Sequence, residues 1–173
     1  STKKYTGIDI SEEAVSVGRR LRRRIIRSSL NDYVKSQKKQ YDVVCSFQVL
    51  EHVPDPYNFI CQMSQCLKKN GILIISVPSY DSFLRFTFNN VLNIPPHHLS
   101  WWPDRTLQFV AKEFHLVLKG LYHEPLAKEH TLQYTQTIIL SAFMRKFHIR
   151  QKTIRTGLFW RIASALANMI ASI

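Results

Sequence analysis

Short apolar runs alternate with amphipathic stretches along much of the chain, a rhythm that predicts strands separated by helices. Lys4-Tyr5-Thr6-Gly7-Ile8-Asp9-Ile10 reads as a short strand ending in an acid. Ser11 is then a suitable helix cap, with Glu12 and Glu13 in the first turn, where the helix dipole favours acids. Ala14, Val17, Leu21 and Ile25 recur at helical spacing and leave the arginines outside. Arg24 to Arg27 predicts another short strand, and Asp32 to Lys39 a short helix after a Ser28-Ser29-Leu30-Asn31-Asp32 turn. Asp42 to Phe47 is apolar, β-branched and too short for a helix, which suits a strand buried on both faces. Gln48 to His52 places polar and ionisable groups directly after it, and Pro54 and Pro56 stop that segment ahead of a helix. That helix is expected over Tyr57 to Lys69, with Phe59, Ile60, Met63 and Leu67 on one face and Asn70-Gly71 as its C-cap. Ile72 to Pro78, a continuous apolar run, is expected at the centre of a sheet.

Alternation of this kind predicts a parallel sheet with right-handed crossovers. Ser79 to Pro103 breaks the rhythm with aromatics, Asn89-Asn90 and Pro95-Pro96-His97-His98, as a lid or substrate segment over strand ends would. Asp104 to Lys112 predicts a helix, and Phe114 to Tyr122 a further strand. Leu132 to Phe147 and Ile154 to Ile173 predict two helices joined by a basic stretch. Leu158, Phe159, Ile162, Leu166, Met169, Ile170 and Ile173 make the last one strongly apolar. Packing against its own domain is the preferred reading; a dimer face or an interfacial membrane helix with a basic flank stays open.

Composition narrows the class. An apolar share of 45% over 173 residues is that of a globular domain with a sizeable core. The net charge of +12 favours acidic partners. The bunched Arg19, Arg20, Arg22, Arg23, Arg24 and Arg27 are read first as a solvated helix face and second as a binding patch. Cys45, Cys61 and Cys66 match no zinc spacing and are expected to be buried, reduced thiols. With no signal peptide and no apolar run of about 18 residues, a cytoplasmic protein is the default, with peripheral membrane contact through the last helix left open.

Ligands bind at the carboxyl ends of strands in open α/β sheets, so the chemistry is sought there. Asp9, at a strand tip before a helix, suits a ribose-binding acid, or it caps its own turn. His52, His97 and His98 are the candidate general bases, each also readable as a structural hydrogen-bonding histidine.

Three signatures in order, GIDIS (7–11), YDVVCSFQVLEHVPDP (41–56) and LKKNGILIISVPS (67–79), resemble the class I S-adenosylmethionine-dependent methyltransferases. PPHHLSWWPDRTLQFV (95–110) is similar to the segment that follows the fifth strand in that family. The resemblance covers roughly residues 4 to 125. It implies an α/β fold, a Rossmann-like parallel sheet with helices on both faces, and S-adenosyl-L-methionine as cofactor. Residues 1–127 would form the methyltransferase domain, with the lid at about 79–103, and 128–173 a helical extension of it. Gly7, Asp9 and Ile10 would shape the ribose pocket, Ser29 and Leu30 border the adenine, and Phe47 and Gln48 line the methionine end. His52 and His98 would be catalytic.

The family's glycine-rich loop should precede Gly7 and its last strand should follow the helices. Neither is seen, so the sheet is expected to be incomplete, the chain to be a fragment, and its own cofactor binding weak. Related O-methyltransferases hold a divalent ion with Glu-x-x-Glu-His and a later His. Here Gln48 stands in the first place beside Glu51, His52 and His98, and a neutral amide weakens such a site, so no metal is assigned. The expected activity is methyl transfer to an O or N acceptor, less so C, on a small-molecule or lipid-linked substrate. Phe83, Phe86, Phe88, Trp101 and Trp102 would line its pocket or simply pack the lid. No nucleic acid partner is expected, since aromatic and basic residues are not interleaved on a recognisable module. A non-catalytic interaction protein and an NAD-dependent oxidoreductase are the alternatives.

Overall fold

The computed structural model describes residues 5–37, 40–87, 90–149 and 157–171, in two compact units, Ser1–Ser76 and Val77–Ile173. Expectations that fall on Lys4, Lys39, Phe88, Asn89, Ile154 and Ile173 lie outside the described residues.

The first unit runs β1 (Gly7–Asp9), α1 (Glu12–Arg20), β2 (Ile25–Arg27), α2 (Leu30–Ser36), β3 (Tyr41–Phe47), α3 (Pro56–Gln65) and β4 (Leu67–Ser76). Both ladders are parallel, with a helix in each crossover as the alternation predicts. β1 pairs with β2, Ile8 opposite Ile26, and β3 pairs with β4, from Val43 opposite Ile72 to Phe47 opposite Ser76.

Local chemistry starts the helices. Ser11 Oγ accepts from the Ala14 amide at 3.3 Å, Ser29 Oγ from Asp32 at 3.1 Å, and Asp55 Oδ1 from Asn58 at 3.0 Å with Pro56 behind it. α1 buries Val15 and Gly18, whereas Val17 and Leu21, expected on its inner face, are exposed. The cause is the close approach of β2: a Cβ on Gly18 would stand 2.2 Å from Cδ1 and 3.1 Å from Cγ1 of Ile25. Glu12 and Arg27 pair at 2.7 Å but are well exposed, so the pair adds little stability.

Several expectations around the second ladder are corrected. β3 and β4 pair only with each other among the described residues, so neither is central, and Val43, Phe47, Ile72 and Ile74 are exposed. Cys45 is exposed with them, Cys61 is half-buried and only Cys66 is buried, where burial pushes its thiol pKa up. α3 ends at Gln65, not Lys69. Asn70, at φ 65°, turns within the irregular start of β4 between the Tyr41–Leu67 and Val43–Ile72 pairs, instead of capping a helix.

The second unit opens with an irregular stretch carrying 3-10 turns at Phe83–Phe86 and Val91–Asn93, followed by α4 (Asp104–Glu113), α5 (Thr131–Lys146) and α6 (Leu158–Ala171). Ser79 bridges Trp102, Tyr80 stacks on Trp101 at 5.2 Å, and Asp81 Oδ2 accepts from the Asp104 amide at 2.8 Å. Leu140 and Met144 of α5 and Trp160 and Ala167 of α6 form the core of this unit. The strand predicted over Phe114 to Tyr122 is absent. His115, at φ 52°, closes α4 with its amide on the Lys112 carbonyl and the Leu116 amide on that of Ala111. Beyond it, Val117 and Tyr122 stand in solvent, and neither lies in a strand.

Tyr33 of α2 is buried, and its hydroxyl meets that of Tyr41 at the start of β3. Burial, and then that hydrogen bond, push its pKa up from the ordinary 10.0 to about 12. A phenol whose pKa is raised by folding contributes stability in full below about pH 10, and loses it as pH climbs through about 12. Urea unfolding between pH 8 and 12 should therefore show a falling limb above about pH 10 that is shallower in Tyr33→Phe. That variant should also lose about 1 kcal/mol at neutral pH.

Candidate active site

The turn after β3 is built on a backbone conformation that L-residues avoid. Gln48 has φ 53°, which costs about 1–2 kcal/mol for a residue with a Cβ. Ser76, at the end of β4, holds it there: the Gln48 amide donates to the Ser76 carbonyl at 2.9 Å, and Nε2 to Ser76 Oγ at 3.2 Å. The chain then tightens into a 3-10 turn, Leu50–His52, that buries Leu50 and Glu51 and leaves the His52 side chain about half exposed at 47%. Asp55 and Pro56 start α3 immediately afterwards.

Glu51 is 1% exposed, and neither carboxylate oxygen meets a hydrogen-bond donor among the described residues. Its Oε1 stands 3.9 Å from His52 Nε2, an electrostatic neighbour beyond hydrogen-bond range. Burying a carboxylate without a donor is expensive, and such groups persist where they serve something other than stability.

Asp9 ends β1 with its side chain exposed; Oδ1 accepts from the Ser11 amide at 2.8 Å, and its carbonyl accepts from the Ser28 amide at 3.0 Å. It thus caps its turn as one of the two sequence readings has it, and the carboxylate stays open to solvent for the other. Gly7 opens the same strand, and a Cβ there would lie 3.4 Å from Ile25 Cγ1. Ile10 is 73% exposed beside them. Ser29 caps α2, its Oγ also donating to Asp32 Oδ2 at 2.6 Å, and Leu30 begins that helix. Phe47 is exposed at the last position of β3. Asp9, Phe47 and Gln48 therefore all sit at carboxyl ends of parallel strands, where open α/β sheets bind ligands.

His98 belongs to the second unit, where Nδ1 meets Asn93 Oδ1 at 3.0 Å and Trp101 Nε1 donates to the Asn93 carbonyl at 2.8 Å. The His97 amide donates to the carbonyl of Ile94 at 3.1 Å. Sequence reasoning found the polar turn but missed the burial of Glu51 and the left-handed Gln48. Flanking by Leu50 and Val53 was the available signal for Glu51. For Gln48, where neither Gly nor Asn stands, there was none.

The methyltransferase domain family matches residues 1–118, and the chain belongs to that family. It is similar to the ubiquinone biosynthesis O-methyltransferase of Hydrogenovibrio crunogenus, with 29% identity over 146 residues, 73% of this chain and 60% of that one. The corresponding protein of Salmonella paratyphi A is 28% identical over 149 residues, with the same shares covered. The chain thus spans about 60% of the length of these curated relatives. A SAM dependent methyltransferase from Archaeoglobus fulgidus shares the fold, with a TM-score of 0.52 at 16% identity over 83% of this chain and 68% of that one.

Replacing Glu51 with methionine, an apolar residue of similar length, removes a buried carboxylate that meets no hydrogen-bond donor among the described residues. Glu51→Met should raise the free energy of unfolding in urea by about 1–3 kcal/mol. A fall of that size instead would mean that the carboxylate has a stabilising partner in solution.

Proposed function

We propose that the chain carries the methyl-donor site of an S-adenosylmethionine-dependent O-methyltransferase acting on a small-molecule or lipid-linked acceptor. One observation carries this reading. An exposed carboxylate ends β1, and an exposed aromatic followed by a strained, doubly tied glutamine ends β3. Membership of the methyltransferase family and the names of the O-methyltransferase relatives support it. Residues 1–127 are the catalytic domain in this reading and 128–173 its helical extension. Contact with a membrane is assigned to the last helix.

The residues present fit the cofactor. Asp9, open to solvent, would accept from ribose hydroxyls, with Gly7 and Ile10 beside it on the same strand end. Ser29 and Leu30, at the start of α2, would border the adenine. Phe47 and Gln48 would line the methionine portion, and the tie to Ser76 keeps the Gln48 backbone from relaxing as ligands come and go. When bound, S-adenosylmethionine supplies a methyl group already activated by a sulfonium leaving group, so the protein mainly aligns the acceptor and excludes water. A hydroxyl acceptor must give up its proton as the new C–O bond forms. His52, part-exposed at the end of the polar turn with its Nε2 3.9 Å from Glu51 Oε1, would take it as general base. His98 is the second candidate base.

The reading is tested on the full-length protein with radiolabelled S-adenosylmethionine and hydroxyl acceptors with and without aliphatic tails. Asp9→Ala should weaken cofactor binding by about tenfold or more, the loss of a charge-assisted hydrogen bond. His52→Ala should leave cofactor affinity unchanged and lower turnover by about 10²–10⁴-fold. Thermal protection by NAD in place of S-adenosylmethionine would favour the oxidoreductase and overturn the proposal.

A further inference from the structure

We infer that the α5–α6 hairpin is an interfacial membrane-binding element that seats on anionic lipid headgroups. This deepens the reading of the last helix as a membrane contact and rests on it; it does not depend on the reaction catalysed.

The two faces of α6 are both apolar, and only one is covered. Trp160 and Ala167, with Ala163 between them, face the core made with Leu140 and Met144 of α5. Leu158, Ile162, Leu166, Met169 and Ile170 are each more than half exposed. At the helical rotation per residue they fall within an arc of about 120° that adjoins the arc of Trp160, Ala163 and Ala167. Arg161 and Asn168, also exposed, flank that arc on one edge. Together with the packed arc beside it, an exposed apolar stripe of this width is more than a globular surface needs.

Charge identifies the occupant. Residues 130–173 contain no Asp or Glu, yet hold Arg145, Lys146, Arg150, Lys152, Arg155 and Arg161. The last quarter of the chain thus carries half of its net charge of +12. A second copy docking on the same stripe would bring two sets of six cations together with no acid to pair them. A surface of anionic headgroups over acyl chains satisfies both features at once, the stripe entering the boundary and the cations resting on the headgroups. The hairpin lies on the bilayer and does not cross it. α6 spans 14 residues where about 20 are needed, and no helix among the described residues is long and apolar enough to span.

Vesicle flotation with the full-length protein decides the matter. Binding should be strong to mixed phosphatidylcholine–phosphatidylglycerol vesicles, weak to phosphatidylcholine alone, and reduced by salt. Arg145→Glu and Lys146→Glu should each lower the partition constant by about fivefold or more. The double substitution Ile162→Glu, Leu166→Glu should abolish binding while circular dichroism and the melting temperature, which report folding, stay as in the parent. Equal binding to both vesicle types, or none to either, overturns the inference. So does a dimer in light scattering that the double substitution dissolves. Methyl transfer is assayed separately on a soluble acceptor. Vesicle binding without transfer would defeat the proposed reaction alone, and transfer without vesicle binding would defeat the hairpin alone.

Discussion

The tie between Gln48 and Ser76 is the constraint on which the candidate site depends. β3 and β4 are parallel, so their carboxyl ends arrive together, and Phe47 lies opposite Ser76 as the last pair. One residue later the chain must leave the ladder, and it does so through a left-handed glutamine. Two hydrogen bonds to Ser76, each worth about 1 kcal/mol net, offset a backbone cost of similar size. The abrupt turn sends the chain into a 3-10 segment in place of a longer strand or a wide loop. Leu50 and Glu51 go into the interior, and the half-exposed His52 side chain comes to the surface. A more permissive residue at 48 would relieve the backbone and surrender the side-chain half of the tie.

Glu51 shows a second cost accepted in the same few residues. Its carboxylate has an imidazole 3.9 Å away and meets no hydrogen-bond donor among the described residues, an arrangement that stability alone would not retain. A strained backbone at one end of the segment and an unsatisfied acid three residues on are the two departures that clustering at functional sites explains best. Neither falls in α2 or α3, the nearest helices along the chain, whose first turns are capped by Ser29 and Asp55.

That contrast also explains what the sequence could reveal. The starts of α1 and α3 were legible because Ser11 is a specific cap and Pro56 suits a first turn, whereas α2 begins at Leu30 behind Ser29, two residues before the expected Asp32. The ends of α4 and α5 were legible to within a residue from where the apolar spacing stops, but how the helices close was not. α1, α4 and α5 close through Arg22, His115 and His148, all near φ 53°, in the place where glycine usually stands. The same paired backbone bonds form without the residue that announces them. For that reason Phe114-His115 read as the start of a strand, while Asn70-Gly71, which does resemble a cap, lies inside the irregular edge of β4. Burial was misread where pairing partners set it. Val43, Cys45 and Phe47 have the composition of a central strand, yet a two-stranded ladder leaves them exposed. Likewise the inner face of α1 is chosen by the fit of Gly18 against Ile25, which the spacing of Val17 and Leu21 does not encode.

The basic character of the chain divides along similar lines. The arginines of the first unit sit at the end of α1 and just beyond it, where cations complement the helix terminus, and Arg27 answers Glu12. Acids are interspersed through that unit, so its positive groups have local counterparts. After Glu129 there are none. Cations on a helical hairpin without a single acid cannot be neutralised within the hairpin, and repulsion among them disfavours the compact state. Such a segment is held together by its apolar core of Leu140, Met144, Trp160 and Ala167. Anions from outside would relieve the repulsion, and on the inference drawn for the hairpin they would arrive on the side of the exposed α6 stripe.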